Sequence, residues 1–296
     1  MIGPFIFLVY YDKITSITDQ FSDLHIRLFA DDCKIFSTQP QHLQRAMNNS
    51  HEWLSKHQLN LAREKCAILK IKKAAVQDNT TFYLDNASIQ EVTTFRDLGI
   101  LVSKDLKWSN HIDHISHRAY ITSFQITKSL NSKNIWTWLR LYQTYIRPKL
   151  ENNTPIWSPY LIKDIDKIEK VQRKFTKFAF NKCSIPNTSY DDRLRKVNLL
   201  SLKQRRVYFD LVLMYKTINN ISDLQFDDYF ILIKSCYSLR SHTLKINTKQ
   251  TFSCSQWHNS YFGRIPSLWN DLPSNIVTSP TLNIFKTSLK SHMLHS

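Results

Sequence analysis

Two adjacent carboxylates, Asp31 and Asp32, stand in the middle of the run Leu28-Phe29-Ala30-Asp31-Asp32-Cys33-Lys34-Ile35-Phe36. Apolar side chains alternate on both sides of the pair, Ile26, Leu28 and Ala30 before it and Cys33 and Ile35 after it. That is the period-two pattern of two half-buried strands joined by a turn. An acidic doublet is a poor tight turn, because the favoured two-residue connections want glycine and because like charges repel. A break in local preference of this kind marks a position where function has overridden propensity. The chemistry that suits it is divalent metal binding: carboxylate oxygens are hard ligands for Mg²⁺, and a strand-end turn aims them at phosphate. A plainly solvated turn fits the pair as well, since charged residues are mostly exposed.

The elements that must hold this turn can be read on either side of it. Residues 2–18 read as the end of a buried helix opened at Gly3 and Pro4, with Phe5, Leu8, Val9 and Ile14 inward. After the strand-turn-strand at 24–37, Thr38, Pro40 and Gln41 predict a helix start with a capping box and Pro in the first turn. Leu43, Ala46, Met47, Ser50, Trp53, Leu54 and His57 then recur at helical spacing, giving a face to lay against a sheet. A strand is predicted at 66–72, and short strands at 81–85, 88–92 and 97–102.

From Trp108 the period changes to 3.6. Ser109 is the predicted N-cap of a helix lined by Ile112, Ile115, Ala119, Ile126 and Leu130. Ile135, Leu139, Tyr142 and Ile146 predict a second, stopped by Pro148. A third, over 161–181, sets Leu161, Ile165, Ile168, Phe175 and Ala179 inward and a basic row outward. Pro186 and 187–189 mark a break before a last helical part.

The 296 residues, 42% hydrophobic and 12% aromatic, are enough for a real core. A net charge of +16 and a pI near 9.6 suit a polyanionic partner. Five widely spaced cysteines, Cys33, Cys66, Cys183, Cys236 and Cys254, form no zinc-knuckle or CxxC spacing and read as reduced thiols. The expectation is an intracellular protein, in nucleus or cytoplasm, neither secreted nor membrane-bound. Three glycines exclude a GxGxxG or GxxxxGK phosphate loop. His111, His114 and His117 do not make a metal set, because on a helix the third rotates away from the first two.

The chain resembles the reverse transcriptases of non-LTR (LINE-type, jockey-like) retrotransposons. The resemblance is carried by Ile2–Tyr11, by FADD at Phe29–Asp32, by Trp53–Ile71, Phe95–Trp108, Arg147–Pro159 and Ile168–Lys177, in that order, and it extends to blocks around Tyr190–Lys216 and Trp269–Leu289. It implies an α+β chain: a partial polymerase palm of short antiparallel hairpins with a packed helix over 1–106, a thumb-like helical domain over 107–184, and a mostly helical C-terminal region over 185–296. It implies that Asp31 and Asp32 are catalytic Mg²⁺ ligands acting on dNTP, with an RNA template and a DNA primer as partners. Lys65 stands at the family's nucleotide-side lysine, though a solvated loop lysine fits it equally. Gly99, in Asp97-Leu98-Gly99, stands at the primer-grip hairpin, where it lets a primer strand approach or simply marks a bend. Lys167, Lys170, Arg173, Lys174 and Lys177 stand on the thumb helix as a cradle for the template-primer duplex; a solvated face with pairs such as Asp166–Lys170 is the alternative.

A two-metal polymerase also needs an aspartate from an earlier strand. In the family it precedes the motif that ends at Ile2–Tyr11, and Asp12 and Asp19 lie after that point. Two functions follow: part of an RNA-directed DNA polymerase with an incomplete metal site and a palm sheet left with an open edge, or a catalytically inactive, truncated remnant that at most binds nucleic acid.

Overall fold

Nine uncharged residues form the first helix, α1 (Gly3–Tyr11), of a computed structural model that describes residues 3–71, 80–186, 188–233 and 242–295. The chain divides into two compact units, Met1–Asp105 and Leu106–Ser296. A helix apolar on every side cannot hide its whole surface against one neighbour. Phe5, Leu8 and Val9, expected inside, are exposed, whereas Tyr11 is buried in the core and Phe7 packs against it. A 3₁₀ segment, Asp12–Gln20, follows and buries Ile14 and Ile17.

β1 (His25–Phe29) and β2 (Asp32–Phe36) pair antiparallel, with Ile26 opposite Ile35, Leu28 opposite Cys33 and Phe29 opposite Asp32. Ile26, Leu28, Cys33 and Ile35 pack with Tyr11, Ile14 and the helix α2 (Pro40–Lys56), which buries Ala46, Met47, Ser50 and Leu54. The predicted capping box does not form. Gln39 is the N-cap without a side-chain bond, because Ser37 Oγ and Thr38 Oγ1 turn back to Asp23 Oδ2, at 2.6 and 3.3 Å. His42 Nδ1 meets the other oxygen of Asp23 at 2.7 Å. The Ser37 hydroxyl first, and His42 second, hold this carboxyl far below the usual range.

The remaining strands of the first unit are short: β3 (Ala67–Ile68), β4 (Tyr83–Leu84), β5 (Ala87–Ser88), β6 (Gln90–Glu91), β7 (Thr94–Asp97) and β8 (Ile100–Ser103). β3 runs parallel to β6, whereas β4–β5 and β7–β8 are antiparallel. The strand predicted at 66–72 shrinks to two residues, with position 72 outside the described residues. Gln44 of α2 adds a rung to β4: its Nε2 donates to Tyr83 O at 2.6 Å and its Oε1 accepts from Tyr83 N at 2.8 Å.

The second unit begins with α3 (Ser109–Ser129), α4 (Ile135–Leu141), a π-helical turn (Tyr142–Ile146), α5 (Arg147–Glu151), α6 (Thr154–Trp157) and α7 (Ile162–Lys182). Ser109 is the first helical residue rather than the N-cap, and its hydroxyl donates to Asp164 Oδ2 at 2.7 Å. Pro148 does not stop the second predicted helix. The wide turn shifts the register ahead of it, so the proline falls in the first turn of α5, where no N–H is needed. Trp138, Tyr142, Trp157, Phe175 and Phe180 fill the space between these helices.

Then come α8 (Tyr190–Lys196), α9 (Leu202–Ile218), α10 (Phe226–Tyr229), the antiparallel pair β9 (Phe230–Leu232) and β10 (Ile246–Thr248), α11 (Ser255–Asn259), α12 (Tyr261–Asn270), α13 (Ser274–Val277) and α14 (Leu282–His295). Tyr215, Phe230, Trp269 and Phe285 centre their core. α9 packs on α5, α6 and α7 as well as on α12 and α14, so elements on both sides of residue 185 share it. Polar groups tie the join. Glu169 of α7 accepts from the backbone N–H of Leu202 and Lys203 at the start of α9, at 3.1 and 3.2 Å, and from Tyr190 Oη. Arg264 of α12 donates Nε and Nη2 to the two oxygens of Asp210 at 2.8 and 2.9 Å, and further N–H groups to the carbonyls of Pro155 and Asn259. Asp210 is 1% exposed, and Arg206, one turn earlier, is 3% exposed with its Nη1 unpartnered.

Candidate metal and nucleic-acid sites

The β1–β2 register leaves Ala30 and Asp31 as the whole turn, with Asp32 in the last ladder pair. Ala30 sits at φ 52, a left-handed conformation that costs a non-glycine residue about 1–2 kcal/mol. The acidic doublet is thus held by a strained backbone. Asp31 and Asp32 are exposed, and no described residue pairs with either carboxylate. Behind the turn lie Tyr11 and Cys33. Burial, then Cys33, Asp31 and Asp32, push the Tyr11 phenol well above its usual value, and burial pushes the Cys33 thiol up to about 11. Both stay neutral at physiological pH, so neither adds a charge behind the doublet. Tyr11 was invisible as a site residue in the sequence, where it is one more aromatic at the end of an apolar run.

A second hairpin is tied to the first. Lys34 of β2, two residues beyond Asp32, meets Asp97 of β7 at 2.5 Å, with both side chains about a quarter to a third exposed. Asp97 opens the turn Leu98-Gly99, whose φ values of 44 and 88 are the pair of left-handed residues that a type I′ hairpin demands. No described atom lies within 4 Å of where a Gly99 Cβ would sit, so the demand for glycine there comes from the backbone angle. Lys65 ends a 3₁₀ turn, Arg63–Lys65, and is exposed; no contact among the described residues joins it to the carboxylates.

In the second unit, α3 and α7 lie side by side and point the same way, since Ser109 meets Asp164, Asp113 meets Lys167, and Tyr120 meets Lys174. Along α7, Lys163, Lys167, Lys170, Lys174 and Lys177 recur at steps of four and three and are all exposed. This spacing puts them on one side of the helix over about 21 Å. Arg173 flanks the row, its guanidinium 5.1 Å from the Tyr190 ring. Lys163, Lys170 and Lys177 have no ion-pair partner among the described residues, and the Asp166–Lys170 pair does not form.

The doublet supplies the right donors for Mg²⁺, hard oxygens that no other described residue engages. It is numerically short: among the described residues no group of three or more carboxylate, imidazole or thiol side chains stands close enough to hold a metal.

Residues 1–102 match the family model of the reverse transcriptase (RNA-dependent DNA polymerase). Asp31, Asp32, Lys65 and Gly99 fall inside that span, and it ends before α3, so it says nothing of α7. An uncharacterized protein of Caenorhabditis elegans is 28% identical over 111 residues, which are 38% of this chain and 56% of that relative. The chain thus spans about half the length of the relative it matches. No solved structure matches. Among the described residues, no helix is long and apolar enough to cross a membrane. Cys33, Cys66, Cys183 and Cys254 are free thiols, and Cys236 lies outside the described residues.

Proposed function

We propose that the first unit is the part of an RNA-directed DNA polymerase palm that presents its paired carboxylates, from an element of the non-LTR retrotransposon kind. The reading rests on one observation above the others: inside the span that matches reverse transcriptase, the doublet Asp31–Asp32 sits unengaged on a strained, solvent-open turn. Asp31 and Asp32 present oxygens outward, while Tyr11 and Cys33 keep neutral groups behind them. When bound there, Mg²⁺ supplies the charge neutralisation that phosphoryl transfer requires. Lys65 is assigned to the nucleotide and Gly99 to the primer, both by their place in the family pattern. The row on α7, with Lys167, Lys170, Arg173, Lys174 and Lys177, is assigned to the phosphates of the template-primer duplex.

A second reading is favoured by the short ligand set: the chain binds nucleic acid without catalysing synthesis. Incorporation of dNTP on a primed RNA template, with and without Mg²⁺, separates the two. Loss of incorporation in Asp31→Ala and in Asp32→Ala supports the polymerase assignment. A wild-type chain that binds the primed template with salt-dependent affinity yet incorporates nothing supports the second reading. Incorporation indifferent to both substitutions refutes the site.

A further inference from the structure

Residues 114–150 contain no aspartate or glutamate, although Asp113 and Glu151 stand at either side of them. This acid-free stretch makes most of α3, the connection after it, and all of α4. Three of its Phe, Tyr and Trp rings are exposed, and two of them face water most fully: Phe124 on α3 and Trp136 on α4 are each 62% exposed, against 54% for Tyr145. Neither is needed inside, where Ile112, Ile115 and Ala119 of α3 and Trp138 and Leu139 of α4 already fill the core. The contrast with Trp138 is sharp: two residues from Trp136, it is fully buried and gives its Nε1–H to Ser132 O at 2.9 Å.

The first of these rings has a cation against it, and the second has one on its own face of the helix. Lys128 Nζ lies 5.5 Å from the centroid of Phe124. Arg140 follows Trp136 by one helical turn, on the same side of α4, where a groove of about 520 Å³ runs past both and Gln143. Lys133, also exposed, stands in the connection between the two helices. No carboxylate within the stretch competes for these cations.

We infer that the α3–α4 corner binds single-stranded nucleic acid, with bases stacked on Phe124 and Trp136 and phosphates neutralised by Lys128, Lys133 and Arg140. Rings interleaved with cations are the arrangement that grips unpaired strands of any sequence, because every base offers a π-face and every phosphate a charge. A duplex hides its base faces, so it gains nothing from the two rings. The row on α7 has lysines without free rings, which suits a backbone track. The inference does not depend on the polymerase reading, which rests on the first unit.

The test uses the full chain with a fluorescently labelled dT20 strand and, separately, a 20-base-pair duplex. Trp136→Ala and Phe124→Ala are each expected to weaken dT20 binding by about 5- to 150-fold while leaving duplex affinity and thermal unfolding unchanged. Lys133→Gln with Arg140→Gln is expected to flatten the slope of log affinity against log salt by about 1.4 for dT20. The inference is overturned if both aromatic changes leave dT20 affinity intact, or if they weaken the duplex equally. It is also overturned if binding is lost only with Lys170→Gln and Lys177→Gln. A chain that ignores dT20 and self-associates through Trp136 overturns it in favour of a second copy at this corner.

Discussion

Removing the carboxylate of Asp210 is the sharpest perturbation of the second unit. The residue is almost fully buried; Arg264 grips it with two hydrogen bonds, and the buried Arg206, whose Nη1 makes no hydrogen bond, acts on it through charge alone. Asp210→Ala leaves both cations inside the fold. Breaking a buried pair from one side typically costs about 3–5 kcal/mol. For a unit of this size that is a fall in Tm of about 6–20 °C. Arg264→Met costs less, since the charge of Arg206 still acts on Asp210, and the loss is shared with the carbonyls of Pro155 and Asn259. Replacing all three charges together, Asp210→Leu with Arg206→Met and Arg264→Met, recovers most of the loss, because it removes desolvation along with attraction. The direction of the Asp210 pKa agrees: burial raises it in spite of Arg264. A carboxyl whose folded pKa lies above its unfolded value favours the folded state as pH falls toward it, so the ionised form is a burden near neutrality. Urea denaturation of the four proteins at pH 7 measures the series. A loss below about 1 kcal/mol for Asp210→Ala, or a triple variant as unstable as the single, would refute the argument.

His111 is 3% exposed against the Trp157 ring, and burial lowers its pKa from 6.5 to about 4. The unfolded chain therefore binds the proton more readily, and the second unit is expected to lose at most about 3 kcal/mol as pH falls from 6.5 to 4. His111→Gln flattens that dependence, and a wild-type stability already flat across this window counts against it. The Lys34–Asp97 bridge should give a coupling of about 0.5–1 kcal/mol in a double-mutant cycle of Lys34→Met and Asp97→Asn, read by urea unfolding of the first unit. A coupling of zero means the two hairpins are held together by packing alone.

Local chemistry was legible where one short segment decides the outcome. The alternation around Asp31 and Asp32 predicted the β1–β2 hairpin, and the spacing of α2 and α7 predicted their buried faces. What failed was settled at longer range. Thr38 is the right residue for a cap, but Asp23, fifteen residues earlier, took its hydroxyl. Ser109 likewise turned to Asp164. Pro148 ended nothing, because a π turn upstream altered the register in which it arrives. Tyr11 became a neighbour of the acidic turn, and Asp97 of Lys34, through tertiary packing, which no spacing in the sequence encodes.

Glu169 makes the start of α9 a shared construction. Ser201 and Gln204 cap that start locally, but its first two amides find their acceptor on a helix that ends twenty residues before α9 begins. A polypeptide severed near residue 185 leaves the carboxylate on one fragment and those two amides on the other, both returned to water. Proteolysis or a staged synthesis that separates these helices leaves each half needing the other to finish folding.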